Sequence, residues 1–136
     1  MMPSRSPLRS IACSIALTAI ATASSLAQAE LLDIAWNSSG QYEKTATVQP
    51  GKFLELCGGL TKGQAIGWSF DADQALDFNV HFHEGKDVVF PEKQTAVTKA
   101  SGTLNVASKQ DYCWMWSNKT ATPATLTARL KRSPAL

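Results

Sequence analysis

The residues best suited to do chemistry in this chain are His81 and His83, flanking Phe82, and they are its only histidines. On an extended strand, residues i and i+2 project from the same face roughly 7 Å apart. Imidazole is a common metal ligand, and an H-x-H pair on a strand supplies half of a Cu, Zn or Ni site. A third donor is available in Met115, which sits between Trp114 and Trp116 and alternates onto the same face as Cys113. Thioether with imidazole favours Cu(I), and a nearby indole face adds a cation–π contact. The candidate metal set is therefore His81, His83 and Met115, with Cu or Zn as the ion. Two histidines alone leave such a site incomplete, so no cofactor is firmly implied. The plainer reading makes both histidines polar residues on a solvent face, opposite Phe78, Val80 and Phe82. Tyr112, Trp114 and Trp116 then face the core. Met115 reaches the histidines only if the two strands are neighbours.

Other chemistry is sparse. Asp71, Asp73 and Asp77 could gather around Ca²⁺, but they lack the glycine and terminal glutamate of an EF-hand loop. They read better as a solvated turn, since Asp serves turns well. Nucleophile-elbow, Walker A, dinucleotide and metalloprotease patterns are all missing, so no catalytic residue is assigned and the chain does not read as an enzyme. Asn37-Ser38-Ser39 and Asn118-Lys119-Thr120 both match the N-glycosylation pattern. Asn118 is better explained as part of a turn after the aromatic strand.

The setting for these residues begins with the N-terminus. Arg5 and Arg9, an apolar run from Ile11 to Ala23 and the triplet Ala27-Gln28-Ala29 form the pattern of a secretory signal peptide, residues 1–29, cleaved before Glu30. The run is too short, and too broken by Ser and Thr, for a spanning helix. No later segment reads as a transmembrane span, so the mature protein is expected to be periplasmic or secreted. The chain holds 13 Lys+Arg against 11 Asp+Glu, and removing Arg5 and Arg9 brings the two into balance. That leaves no electrostatic footprint for nucleic acid or anionic lipid.

Cys13 leaves with the leader. Cys57 and Cys113 remain, and an exported chain most simply pairs them. A disulfide closing that loop contributes about 4 kcal/mol in the chain-entropy model. The competing reading is two free thiols with a metal or redox role, which the absence of a C-x-x-C spacing disfavours.

Residues 30–136 then read as one all-β domain. Leu32, Ile34 and Trp36 alternate before a turn at Asn37–Gly40, and Tyr42–Val48 ends at Pro50-Gly51. Phe53–Leu56 leads to Cys57 and a Gly58-Gly59 break. Ile66, Trp68 and Phe70 stop at Asp71-Ala72-Asp73, and Leu76–His83 alternates most clearly of all. Glu84-Gly85-Lys86 turns into Val88-Val89-Phe90, which Pro91 ends or places at a sheet edge. Thr95–Lys99, Gly102–Ala107, Tyr112–Trp116 and Leu126–Leu130 complete the set. Frequent turns and period-2 alternation predict an antiparallel β-sandwich or barrel. The expected aromatic core is Trp36, Trp68, Phe70, Phe78, Phe82, Trp114 and Trp116.

Val48-Gln49-Pro50-Gly51, Phe53–Cys57, Gly67–Phe70, Leu76–Val80, Tyr112–Asn118 and the closing Ala124–Leu130 follow an order that resembles the GOLD (Golgi dynamics) domain. The resemblance spans Thr45 to Leu130 and implies a jelly-roll-like sandwich used for protein contact. In the cargo-receptor branch of that family a disulfide joins an early strand to the penultimate one, which Cys57 and Cys113 would match. This chain lacks the coiled coil, membrane span and cytosolic tail of those receptors. The functional expectation is an exported, non-catalytic module that contacts an unknown protein or small ligand. The alternative is a periplasmic copper- or zinc-binding protein or chaperone built on His81-Phe82-His83, with Met115.

Overall fold

A computed structural model describes residues 29–133. The expected leader lies outside them except for Ala29. The described chain folds into seven strands: β1 (Glu30–Asp33), β2 (Gln41–Val48), β3 (Phe53–Leu60), β4 (Ala65–Glu84), β5 (Asp87–Asn105), β6 (Gln110–Ser117) and β7 (Ala124–Arg132). Neighbours run β1-β3-β6-β4-β7-β2, and β5 lies along β4. Every pairing is antiparallel except that of β1 with β3, which is parallel. The fold is all-β, as the sequence alternation requires.

The long hairpin β4–β5 organises the molecule. Ile66–Ala72 of β4 pairs with β7, whereas Asp77–His81 pairs with β6. One strand thus serves both halves of a sheet that curls over its own core, with β2 and β7 in the first half and β6, β3 and β1 in the second. The expected turn at Asp71-Ala72-Asp73 is instead an irregular stretch of one continuous strand, where the register with β5 shifts between Asp71 and Leu76. An irregularity that bends a strand costs less than ending it, because β5 resumes its pairing beyond it at Leu76 and Val97. The three aspartates do not gather. Asp71 pairs with Arg129 at 3.0 Å, Asp73 accepts the Thr125 N–H at 2.8 Å, and Asp77 accepts the Ala96 N–H at 3.0 Å. Ala96 has a φ of 53° and lies where β5 carries an extra residue between Gln94 and Val97. Asp77 therefore satisfies a backbone donor that the bulge removes from the ladder.

Gly58-Gly59 is likewise no break. Both pair with β6, opposite Tyr112 and Asp111, so the ladder runs through them without interruption. Pro91 sits in β5, which pairs only with β4, so its missing N–H faces the open edge or the bulge.

Between the halves lies one aromatic core. Phe78 sits 4.8 Å from Trp68, 4.9 Å from Phe70 and 5.4 Å from Trp116, centroid to centroid. Trp36 and Phe82, expected inside, only pack at the rim. Trp36 lies under Arg132 instead, at 5.1 Å. The indole N–H groups of Trp114 and Trp116 are buried without an acceptor, a cost of about 1–3 kcal/mol each that their large apolar contact offsets. Asn118, wholly buried, donates to the carbonyls of Val48 and Thr122 and accepts from Thr120. It organises the β6–β7 turn and ties it to β2, a burial that keeps its amide from serving as a surface glycan acceptor.

Candidate functional site: the outer face of β3, β6 and β4

Cys57 and Cys113 stand directly opposite each other on β3 and β6 and are joined in a disulfide. This is the bond that export and cysteine count led us to expect, and it removes the free-thiol reading. Because β4 pairs with β6, the same row continues to His81, opposite Cys113. The adjacent row runs Leu31, Glu55, Met115, Asn79 and Lys93 across β1, β3, β6, β4 and β5. The strands carrying Met115 and the histidines are therefore neighbours. Met115 lies opposite Asn79, diagonal to His81 on the same face.

The two histidines part company in exposure. His83 is exposed, whereas His81 is buried at 6% relative exposure on the face where the sequence alone suggested solvent. The difference arises from the β4–β5 hairpin. Between Val80 and Phe82 the register shifts, and the extra β5 residue brings the Phe90 ring to 5.9 Å from His81. Lys93 in turn reaches over Phe90 at 5.1 Å.

Beneath Phe90, both nitrogens of His81 are engaged. Nδ1 lies 2.8 Å from Asn79 Oδ1, and Nε2 lies 3.2 Å from Glu55 Oε1. An amide oxygen only accepts, so Nδ1 carries the proton and Nε2 turns toward the carboxylate. Burial lowers the His81 pKa below the usual histidine value. The Glu55 charge opposes that shift and His83 adds to it. Glu55 Oε1 also touches Cys57 Sγ at 3.6 Å, but both sulfurs are committed to the disulfide and share no proton. The rings of His81 and His83 are 5.5 Å apart and nearly perpendicular. Glu55, His81 and Cys113 place donor atoms within 4.8 Å of one another, and the disulfide withdraws Cys113 as a thiolate. Glu55 is the member of this group that sequence reading missed. It stands in β3, far from the H-x-H motif, and only the β3–β6–β4 pairing brings it there.

Next to this face is the hairpin tip. Val88, Val89 and Phe90 are exposed at 41%, 38% and 44%, forming a run of three large apolar residues where the two longest strands turn. A further concavity lies elsewhere. It is an open groove of about 690 Å³ on the first half, beside Tyr42, Glu43, Trp68, Gly102 and Arg129, so it does not contain the His81–Glu55 pair. Among the described residues no helix is long and apolar enough to cross a membrane.

No protein family description matches the chain, and no curated protein matches it in sequence. Membership of the GOLD family is therefore not shown, and what holds is the β-sandwich-like architecture itself. Solved structures do match the fold. PliG of Aeromonas hydrophila, a periplasmic lysozyme inhibitor of g-type lysozyme, superposes with a TM-score of 0.60 at 9% identity, covering 78% of this chain and 98% of that one. PliG of Salmonella Typhimurium gives 0.56 at 12% identity, covering 76% and 99%. The pre-peptidase C-terminal domain of a Bacillus anthracis collagenase gives 0.52 at 9% identity, covering 78% and 95%. At these identities the likeness is one of fold: this chain shares its architecture with these β proteins, two of which are periplasmic lysozyme inhibitors.

Proposed function

We propose that this protein is an exported, non-catalytic binding module that grips a protein partner with the tip of its β4–β5 hairpin, and that the partner is a cell-wall hydrolase of the lysozyme class. The observation that carries the reading is the run Val88-Val89-Phe90, exposed together at the tip of the longest strands. Apolar side chains held out on a rigid element are the anchors that dominate protein interfaces, and a contiguous apolar patch on an otherwise polar surface marks such a contact. The choice of partner is supported by the sandwich shared with the periplasmic lysozyme inhibitors. The sandwich implied by the GOLD resemblance supports the same mode of use. Export through the leader, with cleavage before Glu30, belongs to this proposal.

The test is inhibition of purified lysozymes, the g-type first, in a cell-wall lysis assay, with calorimetry for direct binding. Expected is stoichiometric inhibition that Val89→Ser/Phe90→Ser weakens at least tenfold, the double change removing about 2 kcal/mol or more of contact. Inhibition that survives the double change would move the contact away from the tip. Absence of binding to lysozymes of every class would refute the choice of partner.

A further inference from the structure

The geometry points to a divalent transition-metal site, of the Zn²⁺ or Cu²⁺ class, formed by Glu55, His81 and His83 at the base of the hairpin tip. This goes beyond the binding function above and does not depend on it. With Nδ1–H given to Asn79 Oδ1 at 2.8 Å, Nε2 aims its lone pair at a carboxylate oxygen 3.2 Å away. Two acceptors at that distance repel unless a cation, a proton or a metal ion, lies between them. The spacing suits a metal. An ion about 2.1 Å from each atom would see the 3.2 Å separation at an angle of about 100°, between the octahedral and tetrahedral values.

Asn79 does for His81 what outer partners do in metal sites, fixing the tautomer so that Nε2 is left to bind. His83 adds the second imidazole. Its ring centroid stands 5.5 Å from that of His81, and the ring must turn to bring a nitrogen to the ion, since the donor atoms already within 4.8 Å of one another are those of Glu55, His81 and the disulfide-bonded Cys113. Exposure of His83 on the hairpin leaves an entry path and lets its ring adjust. Water fills the remaining position. The carboxylate changes the preference drawn from sequence. A thioether–imidazole set with Met115 favours Cu(I), whereas two imidazoles and a carboxylate favour a borderline divalent ion. Met115, opposite Glu55 and Asn79, supports the floor of the site rather than supplying its main donor. Cost points the same way: burying Glu55 and His81 without a bound cation stabilises the fold little.

The experiment titrates the disulfide-bonded, chelator-stripped chain with Zn²⁺ and Cu²⁺ separately, against a competing chelator near neutral pH, and records the Co²⁺ visible spectrum. Expected is one ion per chain at micromolar affinity or better. Affinity should fall at least tenfold in Glu55→Gln and in His81→Asn, and by a smaller factor in His83→Ala. The unmutated chain should give the intense visible bands of low-coordinate Co²⁺. Because that spectrum and the rise in melting temperature on adding Zn²⁺ need no substitution, misfolding of a variant leaves the test intact. No uptake of either ion at micromolar concentration overturns the proposal. So does uptake that Glu55→Gln and His81→Asn leave unchanged in variants whose far-UV circular dichroism matches that of the unmutated chain.

Discussion

The two halves of the curled sheet turn different chemistry outward. On the first half, β2 and β7 pair threonine with threonine, Thr45 to Thr127 at 2.9 Å and Thr47 to Thr125 at 3.0 Å. Arg129 bridges Glu43 and Asp71 at 3.0 Å each. All of this is exposed, and neutral hydroxyl pairs or solvated ion pairs there cost nothing to desolvate and contribute little. On the second half the outer face is covered. A disulfide, a buried histidine and a carboxylate lie in adjacent rows, with Phe90 beside the histidine. The same pleat builds both faces, so strand alternation does not explain the difference. The hairpin accounts for His81, because the bulge in β5 brings Phe90 beside that ring. Titratable groups that are covered at a cost mark the half where binding chemistry is to be sought.

That contrast can be broken by substitution. The largest loss is expected on the covered half: Cys57→Ser/Cys113→Ser should cost about 2–5 kcal/mol, read from denaturant melts. The threonine-bearing half has its own sensitive point, at the groove beside Trp68. A side chain at Gly102 would come within 2.6 Å of Trp68 Cζ2, and a buried indole cannot step aside. Gly102→Ala should therefore destabilise by about 1–3 kcal/mol. The smallest effect belongs to the open outer face. Thr45→Val/Thr127→Val should stay within about 0.5 kcal/mol. A threonine pair that proved as costly as the disulfide would refute the view that only one face is structurally committed.

Much of the fold was legible in the chain. The alternation of Ile66, Trp68 and Phe70, and of Leu76, Phe78 and Val80, put the right side chains into the core, since period 2 is dictated by strand geometry alone. The cysteine pair followed from counting cysteines once the expected leader was set aside. Asn118 was correctly set aside as a turn residue. The errors share one cause. Asp71-Ala72-Asp73 and Gly58-Gly59 carry turn and breaker residues, and locally that is how such residues behave. Here neighbouring strands hold both segments extended, and a lost ladder bond outweighs a local preference.

The site divides along the same line. The sequence by itself determined that His81 and His83 share a face and that Met115 opposes the core-facing tryptophans, because these relations lie within single strands. Only the tertiary structure decided that His81 is buried while His83 is not, and that Glu55 meets the imidazole. It also decided that the apolar tip stands beside them. Those relations depend on which strands pair and in what register. Pairing is a global choice, fixed by how the two halves close over one core rather than by any stretch of residues within them.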